Sequence, residues 1–110
     1  KYGGTSVADP DRICAVAENV ALTKRRGNDV VVVVSAMGKA TDHLIALANS
    51  VSKNQSGREM DMLLTTGERQ TAALLSMALA DRGIDAVWAL LQHRLHQAVA
   101  QRRNVAQPHV

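Results

Sequence analysis

Residues 29–42 read DVVVVVSAMGKATD, and this stretch decides the fold. Residues 30–34 are five consecutive β-branched residues without polar alternation, which is typical of a strand buried on both faces in a parallel sheet. The small, polar turn that follows leads into a helix. Because ligands collect outside the carboxyl ends of strands in open α/β sheets, Ser35, Gly38 and Thr41 are candidate pocket residues. The alternative is that Ser35 and Thr41 only cap the helix.

An amphipathic helix is predicted before this strand, over residues 10–26. Asp9 is suited to cap its free N–H groups, Pro10 suits the first helical position, and Gly27 with Asn28 supplies a stop. The apolar residues that recur at helical spacing are Ile13, Val16, Ala17 and Val20. A glycine turn, a helix and a buried strand in this order indicate a βαβ unit.

The glycine turn is KYGGTS, residues 1–6. Its two glycines let backbone N–H groups approach an anion, Lys1 supplies positive charge, and two hydroxyl residues follow. The pattern favours a nucleotide or phosphorylated ligand, although a glycine pair near a hydroxyl is also an ordinary strand-to-helix turn. Such a turn follows a strand, so we expect a short strand on the N-terminal side of Lys1.

After a polar loop at residues 52–57, the helical pattern resumes and is interrupted at Gly67, which predicts a broken helix. Glu68 follows the predicted break, so its carboxylate is a candidate to face the site. The alternative is a first-turn acid favoured by the helix dipole. The second helical run is expected to end at Gly83, and residues 84–88 predict a further strand.

Composition limits the class of protein. A chain of 110 residues is one domain at most, and 46% hydrophobic with 21% charged residues is a globular composition. Much of the net charge of +3 lies near the C-terminus and aromatic residues make up 2%, so nucleic-acid binding is not expected. No apolar run is long enough to cross a membrane. Cys14 is interpreted as a core residue in a reducing compartment, and the His93 and His96 pair lacks further metal ligands.

Three separated motifs occur in one order: KYGGTS with the following Asp9 and Pro10, VVVVSAMGKATD, and REMDMLLTTGERQTAALLSMAL. Together they resemble the N-terminal part of the aspartate kinases (aspartokinases), a branch of the amino acid kinase family. The resemblance implies an α/β fold, a three-layer α/β/α sandwich with a mainly parallel sheet, here incomplete. It also implies ATP-dependent phosphorylation of the side-chain carboxylate of L-aspartate, giving 4-phospho-L-aspartate. This reaction belongs to cytoplasmic amino-acid biosynthesis leading to lysine, threonine and methionine.

The resemblance assigns the first motif to the phosphates of ATP, whose Mg²⁺ the nucleotide carries. Lys1 matches the catalytic lysine that stabilises charge on the transferring phosphoryl group. Gly3 and Gly4 match the turn beside the phosphates, and Thr5 and Ser6 belong to the same motif. These roles agree with phosphoryl-transfer chemistry, which needs positioning and positive charge more than a covalent nucleophile.

The other two motifs are assigned to the substrate by the same resemblance. Ser35 and Thr41 match a serine and a threonine near L-aspartate, and Glu68 matches the carboxylate that holds it, through its ammonium group. The partners implied are therefore ATP and L-aspartate, and members of the family are usually oligomers.

The resemblance ends near Val87. Aspartate kinases continue with an active-site arginine and aspartate, a glycine-rich nucleotide segment and regulatory ACT domains, whereas residues 88–110 read WALLQHRLHQAVAQRRNVAQPHV. We therefore assign residues 1–88 to the N-terminal part of the catalytic domain. Residues 89–110 are predicted to be a divergent basic helical tail, which a changed reading frame or a mis-joined gene end could produce. We expect the chain to have little or no kinase activity by itself and to be unstable, because its incomplete sheet would have an open edge.

Two other functions compete with this interpretation. Another amino acid kinase, such as an acetylglutamate or glutamate kinase, shares the early lysine and glycines, but GER after MDMLLTT favours the aspartate branch. From a different class, a non-catalytic interaction or regulatory remnant would also lack the later motifs. Binding of ATP that depends on Lys1 would distinguish a kinase from an interaction module.

Overall fold

The computed structural model describes residues 1–87. The predicted basic tail, which includes His93 and His96, lies outside this range. The described residues form three helices, α1 (Pro10–Arg25), α2 (Ala40–Val51) and α3 (Gly57–Ala80). None of these helices combines the length and the apolar character that a membrane span requires.

Helix α1 forms for the reasons that the sequence predicts. The Asp9 carboxylate accepts a hydrogen bond from the backbone N–H of Arg12 at 2.9 Å, and Pro10 occupies the first helical position. The helix ends at Arg25, and Gly27 follows in the left-handed region with φ of 92°. The four predicted apolar residues of this helix are all buried.

Cys14 is exposed, so its prediction as a core residue is wrong. The buried stripe of α1 contains Ile13, Val16, Ala17 and Val20. Successive residues of a helix are rotated by about 100°, because one turn takes 3.6 residues. Cys14 is therefore rotated by about 100° from Ile13 and lies at the edge of the stripe, on its exposed side.

The valine run forms one β-bridge rather than a full strand. Within residues 1–87 the only β pairing is a parallel bridge between Tyr2 and Val34. The Tyr2 N–H donates to the carbonyl oxygen of Val33 at 2.7 Å, and the Ser35 N–H donates to that of Tyr2 at 3.1 Å. Residues 30–32 carry no β-bridge to another described residue. Residues 84–87 are also not assigned to a strand, and Trp88, the last residue of that predicted strand, is outside the described range.

The core lies between α1, α3 and one face of the valine run. Its buried members are Val7, Ile13, Val16, Ala17, Val20, Leu75, Ala78 and Leu79. Val30, Val32 and Val34 pack against this core, whereas Val31 is 90% exposed. This alternation is expected of an extended segment covered on one face. The predicted burial of the run on both faces is therefore wrong for the part of the chain that the structure describes, and the second helical layer of the sandwich stays a prediction.

Helix α3 is continuous across Gly67, so the predicted break is wrong. Ser56 caps the helix, since its hydroxyl accepts a hydrogen bond from the Glu59 N–H at 3.2 Å. Gly67 is buried, and a Cβ atom on it would lie 3.0 Å from the Cβ of Ala36 and 3.4 Å from Cδ1 of Leu44. The glycine serves close packing between α3 and the neighbouring turn, and the helical hydrogen bonding continues through it.

The end of α3 is tied to α1. The Arg82 guanidinium lies 2.7 Å from the Glu18 carboxylate, and the Arg25 guanidinium donates to the Arg82 carbonyl oxygen at 2.9 Å. Gly83 has φ of 75°, which lets the chain leave the helix and return along the core. Residues 84–87 consequently run beside the valine run.

Candidate functional site

The glycine turn at the start of the chain lies directly on the turn that follows the valine run. The Gly38 N–H donates to the carbonyl oxygen of Gly4 at 3.0 Å. A Cβ atom on Gly4 would lie 2.9 Å from the Gly38 carbonyl oxygen and 3.2 Å from that of Ala36. Only a residue without a side chain lets the two backbones approach this closely. The first and second sequence motifs are therefore brought together.

The third motif reaches the same turn from α3. The missing side chain of Gly67 makes room for Ala36 and for Ala40, whose Cβ would lie 4.0 Å from an added Cβ. Ala36 is buried and thus lies between Gly4 on one side and Gly67 on the other. Glu68 is the residue after Gly67, and Thr41 is the residue after Ala40. The structure thus joins the three motifs at residues 36–38.

Three consecutive backbone N–H groups beside Lys1 are free to bind an anion. Within residues 1–87, the N–H groups of Gly3, Gly4 and Thr5 donate no hydrogen bond, while the Ser6 N–H closes the turn on Gly3 at 3.0 Å. Lys1 is exposed and forms no ion pair with another described residue. Adjacent free N–H groups with a neighbouring ammonium are suited to bind an anion. The predicted phosphate-binding residues are therefore together and available.

The hydroxyl groups of Ser35 and Thr41 do not cap α2. The N-cap of that helix is Lys39, without a side-chain hydrogen bond. Both residues are half-buried, and neither hydroxyl makes a hydrogen bond to another residue in the described part of the chain. The capping alternative is wrong, and both groups remain available to a ligand.

Glu68 is half-buried on α3, and its carboxylate has no hydrogen bond or ion pair within residues 1–87. Burial raises the pKa of Glu68 above its ordinary value, because desolvation disfavours the ionised form. A carboxylate in this state gains stability when a cation binds to it. The alternative prediction of a first-turn acid is wrong, since Glu68 lies in the interior of α3.

Sequence reasoning missed the role of two small residues, Ala36 and Gly67. Neither bears a group that could bind or react, but together they set how closely α3 approaches the turn. Their positions in the sequence could have indicated this role. Ala36 comes two residues after the valine run, and Gly67 directly precedes Glu68 within a helical pattern.

Comparison with known proteins gives a consistent result. The family model described as "Amino acid kinase family" matches residues 1–109. An aspartokinase from Bacillus sp. (strain MGA3) is 58% identical over 87 residues, which are 79% of this chain and 21% of that protein. An aspartokinase from Mycolicibacterium smegmatis is 59% identical over 86 residues, which are 78% of this chain and 20% of that protein. This chain therefore spans about a fifth of the length of the curated relatives it matches.

The structural comparison agrees with these matches. The crystal structure of aspartate kinase from Synechocystis superimposes with a TM-score of 0.75 at 53% sequence identity. The match covers 78% of this chain and 15% of that one. The amino acid kinase fold predicted from the sequence is thereby supported.

Proposed function

Because the chain belongs to the amino acid kinase family, we propose that residues 1–87 form part of the site of an aspartate kinase. The reaction transfers the terminal phosphoryl group of ATP to the side-chain carboxylate of L-aspartate and gives 4-phospho-L-aspartate. The observation that carries the proposal is the junction at residues 36–38, where Gly4 and Gly67 both pack against Ala36. The names of the relatives, aspartokinase and aspartate kinase, support the choice of acceptor.

Lys1 and the glycine turn act on the phosphoryl group. A phosphoryl group that moves between two anions needs fixed positive charge at its equatorial oxygens and in-line positioning. The ammonium group of Lys1 supplies the charge, and the free N–H groups of Gly3, Gly4 and Thr5 supply donors that need no reorganisation. Ser6 keeps this arrangement closed through its hydrogen bond to Gly3.

Glu68 and the two hydroxyl residues act on L-aspartate. The half-buried carboxylate of Glu68 accepts charge-assisted hydrogen bonds from the substrate ammonium group. Neither the Ser35 hydroxyl nor the Thr41 hydroxyl has a hydrogen-bond partner among the described residues. Both are therefore available to donate hydrogen bonds to the carboxylates of the substrate. This arrangement aims the side-chain carboxylate of the substrate at the phosphate turn.

The metal ion belongs to the nucleotide in this proposal. In the range that the structure covers, no three His, Cys, Asp or Glu side chains are grouped as metal ligands. Mg²⁺ bound to the phosphates of ATP neutralises negative charge that develops during transfer. The chain spans about a fifth of its relatives, so we assign the rest of the nucleotide site and the full activity to the whole protein.

We place the reaction in the cytoplasm, a reducing compartment that suits an exposed single cysteine.

Replacing Glu68 with glutamine tests this assignment through L-aspartate binding, measured by calorimetry or by NMR titration of the 110-residue chain. Glu68→Gln is expected to weaken binding by about tenfold or more, since a hydrogen bond to a charged group contributes about 1.5–3 kcal/mol. Wild-type binding is expected to weaken as the pH falls through the raised pKa of Glu68, because the protonated carboxyl no longer attracts an ammonium group.

Two controls make this experiment specific. Glu59→Gln removes an exposed carboxylate from the first turn of the same helix and should leave affinity unchanged. Succinate lacks the ammonium group of L-aspartate. The wild-type chain is therefore expected to bind succinate no more tightly than Glu68→Gln does. Equal L-aspartate affinities for the wild-type and both variant chains would contradict the proposal.

A further inference from the structure

Arg12 ties the first turn of α1 to the glycine turn. Its guanidinium donates a hydrogen bond to the Thr5 carbonyl oxygen at 2.6 Å. Nε of the same side chain lies 3.6 Å from one oxygen of the Asp9 carboxylate, whose other oxygen accepts the Arg12 backbone N–H at 2.9 Å. A charged donor makes a stronger hydrogen bond than a neutral one, and the guanidinium is a rigid, planar group. Asp9 therefore both caps the helix and orients the side chain that holds Thr5.

The hydrogen bond to Thr5 fixes a whole peptide group. The Thr5 carbonyl and the Ser6 N–H belong to one planar unit. Arg12 holds the carbonyl end, and the N–H end donates to the Gly3 carbonyl oxygen at 3.0 Å. Because a rigid plane held at both ends cannot rotate freely, the Ser6 N–H stays directed at the Gly3 carbonyl oxygen.

The next peptide group in this series carries a donor of the proposed phosphate site. The Gly3 carbonyl and the Gly4 N–H share one plane and, in a trans peptide, point in opposite directions. Since the Gly3 carbonyl accepts from Ser6, the Gly4 N–H points away from Ser6, and it donates to no acceptor among the described residues. Hydrogen bonds in series polarise one another, so the positive charge of Arg12 also strengthens this donor.

We propose that Arg12 is a positioning residue of the phosphate site, which acts through the Thr5–Ser6 peptide to hold the Gly4 N–H in place for an anionic phosphate group. The inference rests on the proposed function, because it takes the glycine turn as the part of the site that binds phosphate. Direct attraction between the charge of Arg12 and the anion is the competing explanation.

Pyrophosphate titration of the ¹⁵N-labelled 110-residue chain tests the proposal. Arg12→Ala is expected to weaken pyrophosphate binding by about three- to tenfold, because the loss of a hydrogen bond from a charged donor releases the turn. Before pyrophosphate is added, the substitution should also speed up solvent exchange of the Ser6 amide and shift the amide proton signal of Gly4. Direct attraction predicts weaker binding without faster exchange at Ser6.

Arg26→Ala is the matched control. Arg26 is exposed and follows the last residue of α1, so the substitution removes the same charge about 20 Å from Arg12, at 1.5 Å per helical residue. This distance exceeds the range of charge interactions at physiological salt, which is about 8 Å. The control is therefore expected to change neither the affinity for pyrophosphate nor the exchange of the Ser6 amide.

Three results would overturn this inference and leave the proposed function intact. They are equal pyrophosphate affinities of the wild type and Arg12→Ala, weaker binding with unchanged Ser6 exchange, and equal acceleration of exchange at Ser6 and at the buried residue Val16, which would show general loosening of the fold. A wild-type chain in which pyrophosphate shifts no signal of the glycine turn would instead contradict the proposed function, and this inference with it.

Discussion

Gly4→Ala is expected to destabilise the chain by about 1–3 kcal/mol, the usual effect of forcing an extra carbon atom into a packed site. The added Cβ would lie 2.9 Å from the Gly38 carbonyl oxygen and 3.2 Å from that of Ala36. Both atoms belong to the backbone, so the turn itself must move, and the hydrogen bond from the Gly38 N–H to Gly4 is strained with it. Urea unfolding followed by far-UV circular dichroism measures this loss as a lower midpoint.

Gly3→Ala is the matched control for this prediction. A Cβ atom on Gly3 would meet no atom within 4 Å, and Gly3 is not among the glycines with positive φ. The substitution is therefore expected to be neutral or to raise the free energy of unfolding by about 0.4–1 kcal/mol, because alanine restricts the unfolded chain. A loss as large as that of Gly4→Ala would show that the two turns do not meet as described.

Gly67→Leu is expected to cause a net loss of about 2 kcal/mol in the free energy of unfolding. The Cβ atom by itself would lie 3.0 Å from the Cβ of Ala36 and 3.4 Å from Cδ1 of Leu44, and leucine adds three more carbon atoms. Overpacking of this kind costs about 3 kcal/mol, of which the better helix propensity of leucine offsets about 1 kcal/mol. Since Glu68 is the next residue, the displacement is also expected to weaken L-aspartate binding.

Gly57→Leu is the matched control for Gly67→Leu, because it makes the same substitution in the same helix at a position where the new side chain meets no neighbour. Gly57 is the first residue of α3, and a Cβ atom on it would meet nothing within 4 Å. The same substitution there is expected to leave the unfolding midpoint unchanged or to raise it. If the two leucine variants unfold at the same urea concentration, α3 does not pack against the turn through Gly67.

Features set by local chemistry were predicted correctly from the sequence. Asp9 and Pro10 start α1 and Gly27 follows its end, because caps and glycine stops act within one helical turn. The buried stripe of α1 was also predicted, since helical spacing places its members on one face. The glycine turn at residues 1–6 and the hydroxyl-bearing turn after the valine run meet in the structure, and the ligands assigned to them from their residue types stay predictions.

Features set by tertiary contacts were not predicted. The sequence around Gly67 predicts a helix break, because glycine has a low helix propensity. In the structure α3 is unbroken, and the missing side chain of Gly67 leaves room for Ala36 to pack against the helix. Cys14 lies at the edge of the buried stripe of α1. Whether a residue at that edge is buried or exposed depends on the neighbouring elements, and in the structure Cys14 is exposed. The valine run has the composition of a buried strand, yet a strand also needs a paired neighbour, and within residues 1–87 the run forms a single bridge, between Val34 and Tyr2.

The central claim is that the three motifs form one site around residues 36–38, and a two-ligand NMR titration tests it most directly. With ¹⁵N-labelled chain, pyrophosphate is expected to shift the backbone amide signals of Gly3, Gly4 and Thr5, and L-aspartate those of Ser35 and Glu68. Both ligands should also shift the signals of residues 36–38, which lie between the two sets. Shifts from pyrophosphate and L-aspartate that share no residue, or that fall on surfaces away from this turn, would contradict the account.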